Sequence, residues 1–352
     1  MDFSIAAILT QDGITSGAIY ALLALALVLV FSVTRVIFIA QGEFVAYGAL
    51  TLAALQTHRF PASATLLVEL GVVVFLQECV ALLGDRQRGW RKLLLPFGRF
   101  VVLPLALWLL ARSSTIGAAD TDLPVIVQVV LALAIVVPMG PMVYRLAFAP
   151  LAEASTLVLL IVSVGVHFAM LGTGLLMFGA EGARTAAFSE AHFVFGALQI
   201  SGQSLVILGV TGGLIVALYG YFEHTLSGKA LRATAVNRLG AQLVGIGTTQ
   251  AGRLAFTLAA ALGALCGVLI APLTTVYYDS GFLIGLKGFV GAIIGGLGSY
   301  PIAAAGALLV GLLEAHASFW ASAFKEVIVF TLIIPVRLWR SFSAAGSAQD
   351  DH

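Results

Sequence analysis

The stretch His224–Arg253, HTLSGKALRATAVNRLGAQLVGIGTTQAGR, is the longest polar run in a chain that is otherwise almost continuously apolar. It carries Lys229, Arg232, Arg238 and Arg253 and no acid, and hydrophobic segments flank it on both sides. A basic island between two such segments reads as a loop joining membrane spans. Composition agrees: 352 residues, 60% hydrophobic, 10% charged, mean hydropathy +1.06. A soluble domain carries roughly 25% charge, so the expected class is an all-α integral membrane protein, a polytopic helical bundle. The 38 glycines suit close helix packing in lipid, and a net charge of +1 gives no basis for nucleic-acid binding. Two cysteines, Cys79 and Cys266, lie in apolar runs and read as packed thiols. The opening MDFSIAAILTQDG has no basic n-region and reads as mature sequence.

A membrane-spanning helix needs about 20 apolar residues, and charge, Pro and Gly mark the breaks. On that rule about eleven segments follow: 13–33, 38–56, 65–84, 97–111, 123–147, 155–178, 205–222, 254–273, 282–297, 302–315 and 327–338. Between the sixth and seventh lies EGARTAAFSEAHFVFGALQISGQ (181–203), long enough for a short surface helix or hairpin. An odd count puts the termini on opposite sides. With the N-terminus outside, the cluster DRQRGWRK (85–92), Arg35, Arg145, the 223–253 loop, Arg337 and Arg340 all fall inside, and the acidic ADTD (119–122) falls outside. The opposite orientation reverses that bias, so the loop is expected in the cytoplasm and the C-terminus with it. Residues 1–340 read as one transmembrane domain, and the small polar tail 341–352 as disordered.

Catalytic motifs are missing. There is no GxxxxGK[ST] phosphate loop and no HExxH, and His58, His167, His192, His224, His316 and His352 are scattered without ligand spacing. Neither an enzyme nor a metal site is expected. Glycine spacing says more: Gly13/Gly17, Gly209/Gly213, Gly263/Gly267 and Gly291/Gly295 each place two glycines on one helix face, where backbones can approach. Ionisable groups at membrane depth are costly and read as functional by default. Gln41 and Glu43 fall near one end of the short second segment. Lys287 falls in a glycine-rich segment that reads as re-entrant, with Gly295 and Gly296 at its end; a structural or gating role is expected for it. Glu69 and Glu78 share one span and are expected to meet a cation such as Arg99. Glu314 reads as interfacial. In the basic loop, Ala230, Leu231, Ala235, Leu239, Leu243 and Val244 recur near helical spacing from Ser227 to Gly245, which predicts a short amphipathic helix lying across the bundle. Its apolar face could rest on anionic lipid or enter a groove on a partner.

That loop, GKALRATAVNRLGAQLVGI (228–246), resembles the cytoplasmic coupling segment of the permease subunits of branched-chain (hydrophobic) amino acid ABC transporters. GAIYALLALALVLVFSVTRVIFIAQGEFVAYGAL (17–50) resembles the family's opening span and its NFA[HQ]GE-like turn. VYRLAFAPLAEASTLVLLIVSVGV (143–166) with FGAE (178–181), and LKGFVGAIIGGLGSYPIAAAGALLVGLLEA (286–315), follow in the family's order. The chain departs at Phe38-Ile39, where the turn usually has Asn-Phe, and at Leu239, where an acid is common. The last span carries Pro335 and lacks the Arg-Pro-Gln-Gly-like tail, and 59–122 has no counterpart, reading as an inserted pair of spans.

The resemblance implies a membrane-spanning permease subunit of an ATP-driven importer for branched-chain amino acids or related small solutes, in the inner membrane. It implies a second related permease, two cytoplasmic ATPases that bind ATP, and an external solute-binding protein. It also implies that Gly228, Leu231, Arg232, Ala235, Asn237, Ala241 and Gly245 form the ATPase-coupling surface. A stand-alone secondary transporter or channel is the alternative, with Glu43, Glu69, Glu78 and Lys287 as the groups available for an ion or proton relay.

Overall fold

The computed structural model describes residues 3–83, 94–116, 123–195, 198–336 and 338. The basic run 85–92, the acidic run 119–122, Arg337, Arg340 and the tail 341–352 lie outside the described residues. Helix α1 (Phe3–Thr34) ends at Arg35, whose left-handed backbone (φ 62°) breaks the helix, and a non-helical stretch leads into α2 (Gln41–Gln56). Then come α3 (Ala62–Leu83) and α4 (Leu94–Phe97), which runs through a π-turn into α5 (Leu103–Ile116). Helices α6 (Val125–Val136) and α7 (Met139–Val143) continue through a second π-turn, Tyr144–Phe148, toward α8 (Thr156–Phe178). An antiparallel pair, β1 (His192–Phe195) with β2 (Leu198–Ser201), precedes α9 (Gly202–His224), so the expected surface connection takes the hairpin form. The chain closes with α10 (Leu226–Val236), α11 (Arg238–Leu243), α12 (Thr248–Ile270), α13 (Ser280–Ile294), α14 (Tyr300–Trp320) and α15 (Lys325–Thr331).

Eight helices among the described residues are long and apolar enough to cross a membrane: α1, α3, α4–α5, α6 onward to Leu151, α8, α9, α12 and α14. The other expected segments are shorter. Helix α2 has 16 residues, α13 has 15 and α15 has 7. At 1.5 Å per residue, α2 and α13 reach roughly 24 Å, less than the ~30 Å hydrocarbon layer.

Helix α1 is the hub. Residues 17–30 are buried on every face, as expected of a helix that is apolar all round, and α9, α12, α13 and α14 surround it. It lies antiparallel to α14: a Cβ at Gly13 would strike Leu312, and one at Gly17 would strike Leu308. A Cβ on Gly267 would overlap the carbonyl oxygen of Val45, and Gly291 and Gly295 abut Ala307 and Ala303. Three of the four glycine pairs therefore set helix separations. The fourth does not, because Gly209 and Gly213 have no atom of the chain within 4 Å of where a Cβ would sit. They lie on α9, which keeps little of its surface inside the bundle. Cys266 is buried with its thiol 3.7 Å from the Ile19 carbonyl oxygen, and both cysteines are free.

This contrast is testable. Gly267→Val overfills the α2–α12 contact at a cost of roughly 1–3 kcal/mol or more. The thermal unfolding midpoint in detergent should fall clearly, whereas Gly209→Val should leave it near that of the unsubstituted protein.

Candidate functional site

The two short helices meet end to end. Gly42, in the first turn of α2, lies against Gly281 and Gly285 in the first two turns of α13 so closely that a Cβ on Gly42 would overlap the Gly281 carbonyl. From there α2 runs along α12, with Gln41 and Phe44 beside Gly263, and Val45 and Ala49 beside Gly267. Helix α13 runs the other way, past Leu23 of α1 at Gly288 and Ala303 of α14 at Gly295. Both therefore begin deep in the bundle and point their N-termini, the positive ends of their dipoles, at one place.

A buried pair stands there. Glu43, wholly inaccessible, lies in the first turn of α2, where a carboxylate favours the dipole. Its Oε1 is 2.9 Å from Nδ1 of His167, at the midpoint of α8. The His167 ring stacks on Phe282 of α13, with centroids 4.5 Å apart, so one imidazole joins three helices. The other carboxylate oxygen, Oε2, is buried without a hydrogen-bond partner, and so is Oε1 of Gln41, whose amide donates to the Leu23 carbonyl at 3.2 Å. Asp279, the exposed N-cap residue of α13, is near enough for its charge to act on Glu43. One turn along α2, the Tyr47 hydroxyl donates to the Met170 carbonyl at 2.7 Å.

A second charged cluster lies between α1, α13, α14 and α15. Lys287, 6% exposed, bonds Glu314 and reaches Glu326 at 3.2 Å, and its ammonium sits over the Tyr20 ring. Tyr20 donates to Glu314 at 2.6 Å. Glu314, expected as an interfacial carboxylate, takes both the ammonium and the phenol. Glu78 meets Arg145 at 2.7 Å rather than Arg99, because the π-turn after α7 brings Arg145 alongside α3. Glu69 is exposed on α3. Gly295 packs on Ala303, and Gly296, at φ +67°, makes the turn that lets α14 follow α13.

The basic segment departs from a single helix. Asn237 stops α10 and its side chain caps α11, accepting from the Gly240 amide at 2.9 Å. Thr225 caps α10 by accepting from Gly228 at 3.0 Å, and Gly228 is needed because a Cβ there would meet the Tyr221 carbonyl. Gly228, Leu231 and Ala241 are buried and anchor the segment to the bundle, with Ala235 half-buried. Arg232 is exposed and held by Glu223, while Gly245, at φ +85°, turns the chain toward α12. The free side carries Val236, Leu239, Leu243 and Val244, each at least two-thirds exposed. Arg232, Val236, Asn237, Gly240, Ala241 and Val244 line a hollow of about 400 Å³ in it.

Residues 9–336 match the family model described as branched-chain amino acid transport system / permease component. The chain belongs to this family. LivH of Escherichia coli K12, a high-affinity branched-chain amino acid transport system permease protein, is 27% identical over 334 residues, 93% of this chain and 91% of LivH. BraD of Pseudomonas aeruginosa, of the same description, is 30% identical over 214 residues, 59% of this chain and 70% of BraD. A probable LivH from Methanocaldococcus jannaschii is 28% identical over 186 residues, 51% of this chain and 59% of its own. No solved structure matches the chain. With eight helices among the described residues long and apolar enough to cross a membrane, this permease is an integral membrane protein.

Among the expected pathway residues, the permease brings Gln41 and Glu43 together at the start of α2 and sets Lys287 in a separate cluster. His167 escaped the sequence reading: its partner is 124 positions away, and a lone histidine in an apolar helix has no local spacing to mark it. The Lys287 cluster makes a measurable prediction. Lys287→Met leaves Glu314 and Glu326 without their cation, and breaking a buried pair from one side costs about 3–5 kcal/mol. The double variant K287M/E314Q should regain part of that loss in detergent unfolding, the signature of direct coupling.

Proposed function

We propose that this chain is the membrane-spanning subunit of an ATP-driven importer for branched-chain amino acids or related small solutes, set in the inner membrane. It works with a second related permease, two cytoplasmic ATPases that hold and hydrolyse ATP, and an external solute-binding protein. Its N-terminus is outside and the α10–α11 segment inside, where the positive-inside rule assigns the basic loop. Closure of the ATPase pair pushes on α10–α11 and becomes movement of the bundle, because the two nucleotide states hold this segment differently. The path of the cargo passes Gln41 and Glu43, and Lys287 and the Gly295–Gly296 turn govern how α13 and α14 close.

The observation that carries this reading is the free face of α10–α11. Four aliphatic side chains project from a polar, basic segment that is anchored from beneath by Leu231 and Ala241. An apolar patch on a rigid support, with a hollow in it and charge at its edge, has the make-up of a docking surface. A lipid surface would take an apolar face but has no use for the hollow at Asn237. The ATPase is expected to fill that hollow with an apolar side chain.

Val244→Asp is the direct test, since Val244 lines the hollow and is 75% exposed. The variant should insert into membranes in normal amount, and losing a central contact worth about 2 kcal/mol should weaken ATPase capture more than tenfold. Normal capture together with normal transport would reject the coupling role. One observation favours the ion-driven alternative, namely a carboxylate–imidazole pair at mid-span. Leucine uptake by the chain alone, driven by a proton gradient in vesicles, would decide for it.

A further inference from the structure

We propose that Glu43 is the receptor for the ammonium group of the transported amino acid, and that the apolar cavity beside Tyr47 receives its side chain. This rests on the importer reading above and adds to it a binding site within the permease.

The first support is an unfinished carboxylate. Glu43 has no exposure, and of its two oxygens one meets His167 while Oε2 meets no donor. A carboxyl group in a dry interior with one oxygen left unpartnered is costly, and buried polar groups are nearly always paired. Asp279 adds a second carboxylate whose charge reaches Glu43. The two acids share the neighbourhood with one imidazole, and Lys287 is engaged by Glu314 and Glu326. What the group lacks is a compact cation with several donors, which describes an ammonium with three N–H bonds.

The second support is independent of charge. A cavity of about 180 Å³ lies near the pair, on the Glu43 face of α2 one turn along and on the face of α8 next to that of His167. Tyr47 follows Glu43 by four residues on α2, and Val166 and Met170 flank His167 on α8. Leu66, Leu70 and Met139 complete its wall. Its volume is several times the ~30 Å³ occupied by one water, and an apolar cavity of this kind stays dry and favours hydrocarbon. Glu43 does not itself line the chamber, so the proposed site forms when the turn between Glu43 and Tyr47 opens; a carboxyl group and an aliphatic chamber then match the two ends of leucine, isoleucine or valine.

The two parts also define a sequence of contacts. His167 holds Glu43 in the empty site, clamped by Phe282 of α13. Cargo ammonium takes Oε2 and draws the carboxylate away from the imidazole, loosening the tie among α2, α8 and α13. Arrival of cargo at the middle of the bundle is thereby felt by the helix that faces α14.

The test uses the purified permease–ATPase complex without its solute-binding protein, read by saturation-transfer NMR. The probes are leucine, isoamylamine, which keeps the ammonium and branched chain, and 4-methylpentanoate, which keeps the carboxylate and branched chain. Leucine and isoamylamine should bind, and 4-methylpentanoate should bind at least tenfold more weakly. Glu43→Gln, checked for assembly by copurification of the ATPases, should lose at least tenfold in leucine binding. Ala169→Phe, which intrudes on the cavity wall, should weaken leucine more than alanine. Equal binding of the amine and the acid, or unchanged leucine binding in Glu43→Gln, overturns the proposal. Should Glu43→Gln fail to assemble, the ligand series on the unsubstituted complex decides by itself. Leucine uptake by the full transporter without ammonium selectivity at this site rejects the site alone; a full transporter that moves a different solute and no leucine rejects the importer reading.

Discussion

The contact on which the rest depends is backbone against backbone, where Gly42 of α2 meets Gly281 and Gly285 of α13. In lipid there is no hydrophobic drive to press helices together, so close approach has to come from small residues and dispersion. Any side chain at these positions would hold the two helix ends apart. Once they touch, α2 and α13 can both be short, because each begins against the backbone of the other. The irregular stretches that lead into them, 35–40 and 271–279, carry free peptide groups at depth. Such backbone is tolerated where protein or a cavity covers it. Coverage is visible: Ile39 donates to the Ser163 hydroxyl, and Val276 pairs with Ala183 through a β-bridge.

That arrangement also explains where the ionisable groups went. Two helix N-termini converging in a low-dielectric interior create a field that favours negative charge. Glu43 and Asp279 stand at those termini. Lys287 sits two turns along α13 and is balanced separately by Glu314 and Glu326. Segregating the acids from the lysine leaves the carboxylate at the helix meeting point with a neutral-capable partner, His167, in place of a permanent charge. A lysine there would lock the pair; an imidazole holds it more loosely.

The long spans were legible because a run of 20 or more apolar residues has few physical outcomes. Helix α1, with its buried residues 17–30, is the plainest case. The short helices were half legible. Gln41, Glu43 and the glycines of 281–296 marked both segments as unusual, but length alone counted them with the spans. Pairing was not legible at all: Glu314 reads as interfacial until Lys287 and Tyr20 are seen to converge on it from two other helices. Glu78 was matched to Arg99, when the π-turn that swings Arg145 to it leaves no periodic trace. The basic segment α10–α11 shows the same limit on a smaller scale. Its apolar spacing was read correctly as helical, yet Asn237 divides it, because a side chain that caps the next turn competes with continuing the present one.

The division at Asn237 matters for how a push on this segment would be transmitted. A single straight helix resting on the bundle could roll or slide under load. Two short helices meeting at a capped joint, with Leu231 of the first and Ala241 of the second both buried, touch the bundle at two separated points. Arg238 adds a third tie by donating to the Ala152 carbonyl at 2.9 Å, just before α8 begins. Arg232 adds a fourth through Glu223 at the end of α9. A force on Val236 and Val244 is therefore shared between α8 and α9 from the start. Helix α8, which carries His167 at its midpoint, begins four residues after Ala152, so the Arg238 hydrogen bond ties the basic segment to the chain just ahead of the helix that holds Glu43. In the proposed importer, displacement of α8 by about one side-chain length would separate His167 from Glu43 without any further relay.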